Sequence, residues 1–274
     1  MRTRPAKRLL LALLGEFVLD RELDRVRAGA LLPILEGAGI AAPTARATLD
    51  RMAVRGLLDR KRSGREVEFS LTDEVRDILR EGGQRVNRDF PFKPQGAGWT
   101  LVTFSVSEGH RTVRHRLRAV LTWEGFAPLR DGLWIAPGEV DMAATLEPLR
   151  DDLPPRSVAA FRAREIDDFP LADAVRDAWD LDAIRAEHEL FLETWGHANA
   201  TDGAQSAVSA RIMLVADWIA LLRADPRLPV EYLGADWPAA QSLACYRARH
   251  TELASRAESE FAQLVPVGEH TTVG

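Results

Sequence analysis

Between Leu9 and Leu71 the apolar residues change their period, and no other feature constrains the fold of this 274-residue chain as tightly. Leu9, Leu10, Leu13, Leu14 and Phe17 recur at helical spacing and make one apolar stripe. Leu31, Ile34, Leu35 and Ala38 repeat it, with Gly37 and Gly39 to close the helix. Pro43 suits a first helical turn. After it, Ala45, Leu49, Met52 and Ala53 form a third buried face that stops at Gly56. The period then falls to two. Val67, Phe69 and Leu71 alternate with polar residues behind a turn at Ser63-Gly64. Thr72 begins a further helix along Val75, Ile78 and Leu79. Three short helices, a basic hairpin and a closing helix predict a winged helix-turn-helix over residues 1-88.

Charge supports a specialised head. The whole chain carries 36 Lys+Arg against 41 Asp+Glu, a net −5 that argues against a protein coating nucleic acid everywhere. Residues 1–90 nevertheless hold 18 basic and 14 acidic side chains, whereas 91–274 hold 18 and 27. A small basic head on an acidic body fits a module that touches a polyanion at one place. Met1 to Leu14 imitates a signal peptide, with Arg2, Arg4, Lys7 and Arg8 before Leu9-Leu10-Leu11-Ala12-Leu13-Leu14. The apolar run is shorter than the roughly seven to fifteen residues of a secretory core, so an amphipathic first helix is expected. No run approaches the ~20 apolar residues of a membrane span, and a cytoplasmic protein is expected. The single cysteine, Cys245, excludes a disulfide framework and cysteine-based zinc binding.

Asn87 to Gly98 contains Pro91, Pro94, Gly96 and Gly98 and reads as a linker. Beyond it, Trp99 to Val106 is strand-like, and Ser107-Glu108 starts a helix along Val113, Leu117, Val120 and Leu121. Short strands follow on either side of Asp131-Gly132, at Gly125–Leu129 and Leu133–Ala136. A helix from Val140 to Leu149 and a strand from Ser157 to Ala163 complete the series. The order β-α-β-β-α-β over 98-166 is that of a ferredoxin-like split βαβ unit. Residues 169-266 read as helices: Leu171 to Trp179, Leu181 to Trp195, Ala204 to Leu222 and Trp237 to Leu264, with a corner at Asp225–Pro229. The fold class expected is therefore α+β.

Two groups of residues are candidates for binding. On the third helix the face opposite Ala45, Leu49 and Met52 holds Thr44, Ala47, Asp50, Arg51 and Val54, flanked by Arg46 and Arg55. Short residues let such a helix sink into the major groove, and Arg pairs bidentately with guanine. Lys61, Arg62 and Arg65 at the hairpin tip reach phosphates or the minor groove. Arg111, Arg114 and Arg118 share one helical face, with Trp123, Arg130 and Trp134 nearby in sequence. That row suits the phosphates of DNA or of an acyl-CoA, or ion pairs with the acidic C-terminal region. Catalysis finds little support: His110, His115, His188 and His197 lack zinc-helix spacing, and there is neither a phosphate-cradling glycine run nor a nucleophile elbow. No catalytic residue, metal or cofactor is expected. His188 and Glu189 read as surface or core-edge residues, Asp151-Asp152 and Asp167-Asp168 as solvated charges, and Cys245 as buried and inert.

The helix-turn-helix, Phe104-Ser105-Val106-Ser107-Glu108, Arg114–Arg118 and above all Gly125–Pro137 resemble the PaaX family of phenylacetate-degradation repressors. Trp179-Asp180-Leu181, Asp225–Pro229 and Asp236-Trp237-Pro238 extend the resemblance over nearly the whole chain. It implies a winged-helix head, a middle domain similar to the Cas2 ferredoxin-like fold, a helical C-terminal domain, and a dimeric repressor released from DNA by an aryl acyl-CoA. The first middle strand ends without a metal-binding Asp, so nuclease activity is not expected. A homodimer on an inverted-repeat operator in double-stranded DNA is the expectation. An acyl-CoA-binding metabolic protein or enzyme with an incidental basic head is the alternative, and an architectural protein without a small ligand is a third reading.

Overall fold

A computed structural model describes residues 3–19, 21, 23, 25–64 and 66–265. The chain separates into two compact units, one built from Met1–Arg88, Leu190–Ala220 and Ala240–Gly274, the other from Asp89–Glu189 and Leu221–Ala239.

In the first unit, α1 (Ala6–Phe17) buries the predicted Leu9, Leu10, Leu13, Leu14 and Phe17. A two-residue strand, β1 (Val26–Arg27), precedes α2 (Ala28–Gly37) and α3 (Ala42–Val54). The hairpin β2 (Leu58–Ser63) and β3 (Glu66–Leu71) follows, and β3 takes the centre of an antiparallel sheet ordered β1-β3-β2. This is the element order of a winged helix. Two residues cannot display an alternation, so β1 had no signature in the sequence. α4 (Asp73–Val86) closes the segment, with the Thr72 hydroxyl accepting from the Val75 amide. Ile78, expected on its buried stripe, is 48% exposed.

The same unit contains most of α9 (Ala207–Ala224) and α10 (Ala239–Leu264). Every residue of α9 from Ala207 to Trp218 is buried, as expected for a helix that is apolar all round. The polar residues in that stretch are satisfied by the N-terminal segment and, for Asp217, also by Trp195. Ser209 Oγ donates to Ile34 O at 2.8 Å, an approach that Gly37 permits because a Cβ there would sit 2.5 Å from the Ser209 hydroxyl oxygen. Arg211 Nε donates to Glu16 at 2.8 Å, and His250 Nε2 lies 2.9 Å from the same carboxylate oxygen. Arg4 Nε donates to Asp217 Oδ1 at 2.9 Å, and Trp195 Nε1 donates to Asp217 Oδ2 at 3.1 Å. Phe261 of α10 stacks on Phe17 with centroids 4.9 Å apart.

Glu16 makes part of this packing pH-dependent. Burial alone pushes its carboxyl up, but the hydrogen bond and charge of His250, followed by those of Arg211, outweigh burial and hold it below the ordinary 4.5. A carboxyl lowered in the folded state contributes stability that is complete above its unfolded value and is lost as pH falls through its folded value. Urea titrations between neutral and acid pH are expected to show this loss, and a Glu16→Gln variant to be weaker at neutral pH with a flatter acid limb. Parallel profiles for the two proteins would exclude this role for Glu16.

The second unit carries β4 (Trp99–Phe104), α5 (Arg111–Trp123), β5 (Ala127–Arg130), β6 (Leu133–Pro137), α6 (Met142–Leu146) and β7 (Val158–Ala163). A short 3-10 turn, Glu108–His110, precedes α5 where the sequence suggested helix from the outset. The sheet runs β5-β6-β4-β7, antiparallel throughout, so β6 lies between β4 and β5 as a split βαβ unit requires. Alternation along the strands divides the core. Val102, Trp134 and Ala136 pack with Leu117 and Leu121 of α5. Trp99 and Ile135 pack instead with Val175 of α7 (Ala172–Ala178), with Ile184 of α8 (Leu181–Trp195) and with Leu228.

Candidate nucleic-acid interface

Pro43 sits in the first turn of α3, and Gly56, at φ +72°, lets the chain leave the helix for the wing. Ala45, Thr48, Leu49 and Met52 are buried. Thr44, Arg46, Ala47, Asp50, Arg51, Val54 and Arg55 are exposed, Val54 to 89%. The exposed arc has two edges. Towards the wing, Arg46 and Asp50 line a cleft of about 340 Å³ with Arg60 and Glu66. Towards α1, Thr44, Arg51 and Arg55 line another, with Lys7 on its far side. Arg51 Nη2 donates to Thr48 Oγ1 at 2.9 Å, and Thr48 Oγ1 donates to Thr44 O at 2.8 Å. A buried threonine thus steers Arg51 along the α1 edge.

Three acids beside this surface are paired. Arg60 Nε lies 3.3 Å from Asp50 Oδ1. Arg27 of β1 lies 3.2 Å from Glu66 and 3.9 Å from Glu68. Among the described residues, no ion pair involves Arg46, Arg51, Arg55, Lys61 or Arg62. Arg62 Nε makes one weak hydrogen bond, to Gly64 O at 3.3 Å. Arg65 lies outside the described residues. Lys7 and Arg27 are the members that sequence reasoning missed, because their placement depends on α1 packing beside α3 and on β1 joining β3.

The second candidate group is not gathered in one place. Arg111 and Arg118 are exposed on α5, and Arg114 is half-buried. Arg116, on a neighbouring side of the helix, pairs with Asp152 and donates to Pro148 O at 3.3 Å. Trp123 is 48% exposed, with the Arg223 guanidinium 4.0 Å from its ring. Arg130 is exposed on the edge strand β5. Trp134 is 8% exposed, in the core with Phe104.

His188 is a correction to the sequence reading. It is fully buried, with Nε2 2.9 Å from Asp225 Oδ2 and the rings of Phe92 and Trp237 at its edges. Asp225 Oδ1 accepts from the Arg227 amide at 2.6 Å, and Arg227 Nη2 donates to Glu124 O at 3.0 Å. The Asp225–Pro229 corner is thereby tied to the start of the Gly125–Pro137 block, where Gly125 at φ +89° passes close to Pro226. The face that α8 buries is decided by this corner, 37 residues away, so helical spacing alone did not show it. Cys245 is half-buried rather than buried, and burial pushes its thiol up, consistent with low reactivity. Among the described residues, no group of three or more His, Cys, Asp or Glu is placed to hold a metal ion, and no helix is long and apolar enough to cross a membrane.

These features define the class first: an α+β chain with a winged-helix element order at its start, a ferredoxin-like sheet in the middle and helices at its end. Three family models match in that order, a PaaX-like protein model over residues 5–75, the PaaX protein central Cas2-like domain over 93–175, and the PaaX-like protein C-terminal domain over 179–263. The chain belongs to the PaaX family. It is 26% identical over 221 residues to the transcriptional repressor PaaX of Escherichia coli (strain K12), covering 76% of this chain and 68% of that protein. Its fold is similar to that of the uncharacterized protein Rv0674 from Mycobacterium tuberculosis, with a TM-score of 0.59 and 24% identity over 93% of this chain and 98% of that one.

Proposed function

We propose that this protein is a cytoplasmic transcriptional repressor that binds double-stranded DNA through α3 and the β2–β3 wing. Family membership makes it a regulator rather than an enzyme. The observation that carries the reading is the pairing of charges: Asp50, Glu66 and Glu68 each have an arginine as ion-pair partner, which leaves Asp59 as the one acid of α3 and the wing without an ion pair among the described residues, while Arg46, Arg51, Arg55, Lys61 and Arg62 are exposed and make none. A polyanion meets cations there. Arg46, on the wing edge of α3, reads or positions base edges with Ala47 and Asp50, and Thr44 faces DNA from the opposite edge. Lys61, Arg62 and Arg65 hold backbone phosphate or the minor groove. A single short head offers little area for specific affinity, which supports a homodimer on an inverted repeat.

Duplexes selected from a random pool by the purified full chain supply the probe. Arg46→Ala is expected to cost ~1–3 kcal/mol of binding and relax base preference at one position. Arg62→Ala is expected to weaken all sequences alike and make the salt slope shallower by about one unit. Wild-type affinity in both variants would remove this assignment of contacts, and light scattering that shows only monomer with and without DNA would remove the dimer.

Repression released by an aryl acyl-CoA is the effector reading. Exposed Arg111 and Arg118, with Arg114 between them, offer forked donors to its phosphates, and the half-exposed Trp123 offers a flat apolar surface. Calorimetry against aryl and alkyl acyl-CoAs, followed by release from the selected duplex, tests it. Absence of binding below about millimolar, a ΔG weaker than ~4 kcal/mol, would leave the DNA-binding reading standing alone.

A further inference from the structure

We infer that a cleft between the start of α1 and the outer edge of α3 seats one DNA backbone phosphate, held by Lys7, Arg51 and Arg55. The inference rests on the DNA-binding reading and adds a contact from α1, outside the helix-turn-helix and the wing.

The cleft has a volume of about 300 Å³ and is lined by Pro5, Lys7, Thr44, Arg51 and Arg55, over a floor that includes Met52 and Leu57. Three cations line it and no acid does. Among the described residues neither Lys7 nor Arg55 has an ion-pair partner, and Arg51 donates only to the uncharged Thr48 hydroxyl. Like charges brought together without counter-charge are unfavourable in the free protein, and an anion relieves that cost on binding. The start of α1 adds to the same field, since no side chain caps it and no acid occupies its first turn.

The site is also held in place. Arg4, next to Pro5, is 4% exposed and fixed to Asp217 and Asp202, so the backbone that carries Lys7 is anchored from behind. Arg51 is steered towards the cleft by Thr48. The volume stands at the foot of the ~300–1,000 Å³ range of small-molecule sites. A phosphate group matches the charged rim better than an acyl thioester does. Its source is the DNA backbone, because the cleft borders the exposed face of α3. Arg51 then positions DNA through phosphate, and base discrimination falls to the residues nearer the wing.

The test uses the full chain, a duplex it selects from a random pool, and the same duplex with single phosphates replaced by neutral methylphosphonate. One replacement beside the contacted bases is expected to weaken wild-type binding about tenfold, ~1.4 kcal/mol. Lys7→Ala is expected to lose a similar factor, to make the salt slope shallower by about 0.9, and to become indifferent to that same replacement. Lys7→Arg restores the charge and the sensitivity, and Arg62→Ala keeps the sensitivity because its own phosphate lies elsewhere. Lys7 is exposed, so thermal melts of both Lys7 variants should match the wild type. Wild-type affinity and slope in Lys7→Ala overturn the inference while leaving DNA binding intact. So does a methylphosphonate penalty that persists unchanged in Lys7→Ala. Failure of the wild type to select any duplex overturns the DNA-binding reading and this inference with it. Titration of the DNA-free chain with inorganic phosphate and with free coenzyme A separates the sources: saturable binding of either that Lys7→Ala abolishes, with no methylphosphonate effect, assigns the cleft to a free ligand.

Discussion

An Asp217→Ala variant is expected to lose ~3 kcal/mol of stability, because it takes the shared acceptor from two buried donors, the Arg4 guanidinium and the Trp195 indole, and leaves Arg4 with Asp202. Asp217 is 3% exposed, and the Arg4 side chain beside it is 2% exposed. The carboxylate accepts from Arg4 Nε and from the indole of Trp195, and Asp202 lies 2.7 Å from Arg4 Nη2. Removing Arg4 leaves the Asp217 carboxylate buried with the Trp195 indole as its remaining donor, while removing Asp217 leaves Arg4 to Asp202. Arg4→Ala should therefore cost nearly as much, and the double variant much less than the two losses added. Urea denaturation of the single and double variants measures this cycle. A loss below about 1 kcal/mol for Asp217→Ala, the usual yield of an exposed pair, would mean that water reaches the site. Residues 4 and 217 are joined in one unit, so the variant is also expected to loosen the segment that leads into α1.

Trp134→Ala is the second large effect, ~3–5 kcal/mol lost from the unit that contains the ferredoxin-like sheet. The indole is 8% exposed and packs with Val102, Leu117, Leu121 and Phe126, with the Phe104 ring 6.2 Å away. The measurement separates two roles for one residue. A wall of a ligand pocket would lose effector affinity at little cost in stability, whereas a core side chain loses stability first. Near-native stability in Trp134→Ala would return the indole to the ligand. Trp123, half-exposed beneath Arg223, gives the contrast: Trp123→Ala should change stability far less.

The alternation of β4 and β6 was legible as strand, yet it did not say which helices would cover each face. Trp134 and Ile135 are neighbours in sequence that serve different cores, and only the order β5-β6-β4-β7 shows it. The same limit applied at the candidate interface. The exposed face of α3 and the basic hairpin were visible because each is a local pattern of residue type. Lys7 was visible only as one charge in a signal-like start, and β1 left no pattern at all.

The sequence by itself determined the helices α1, α2 and α3, the wing, the βαββαβ order and the basic head, since each depends on a period, a turn signal or a composition within some twenty residues. Tertiary structure alone decided how a polar group in an apolar helix is satisfied. Ser209, Arg211 and Asp217 sit in a stretch that spacing reads as core, and their partners Ile34, Glu16 and Arg4 are 175, 195 and 213 residues away. His188 meets Asp225 by the same logic. A buried charge must find an opposite charge wherever the fold brings one near, and no periodicity in the chain records which one it will be.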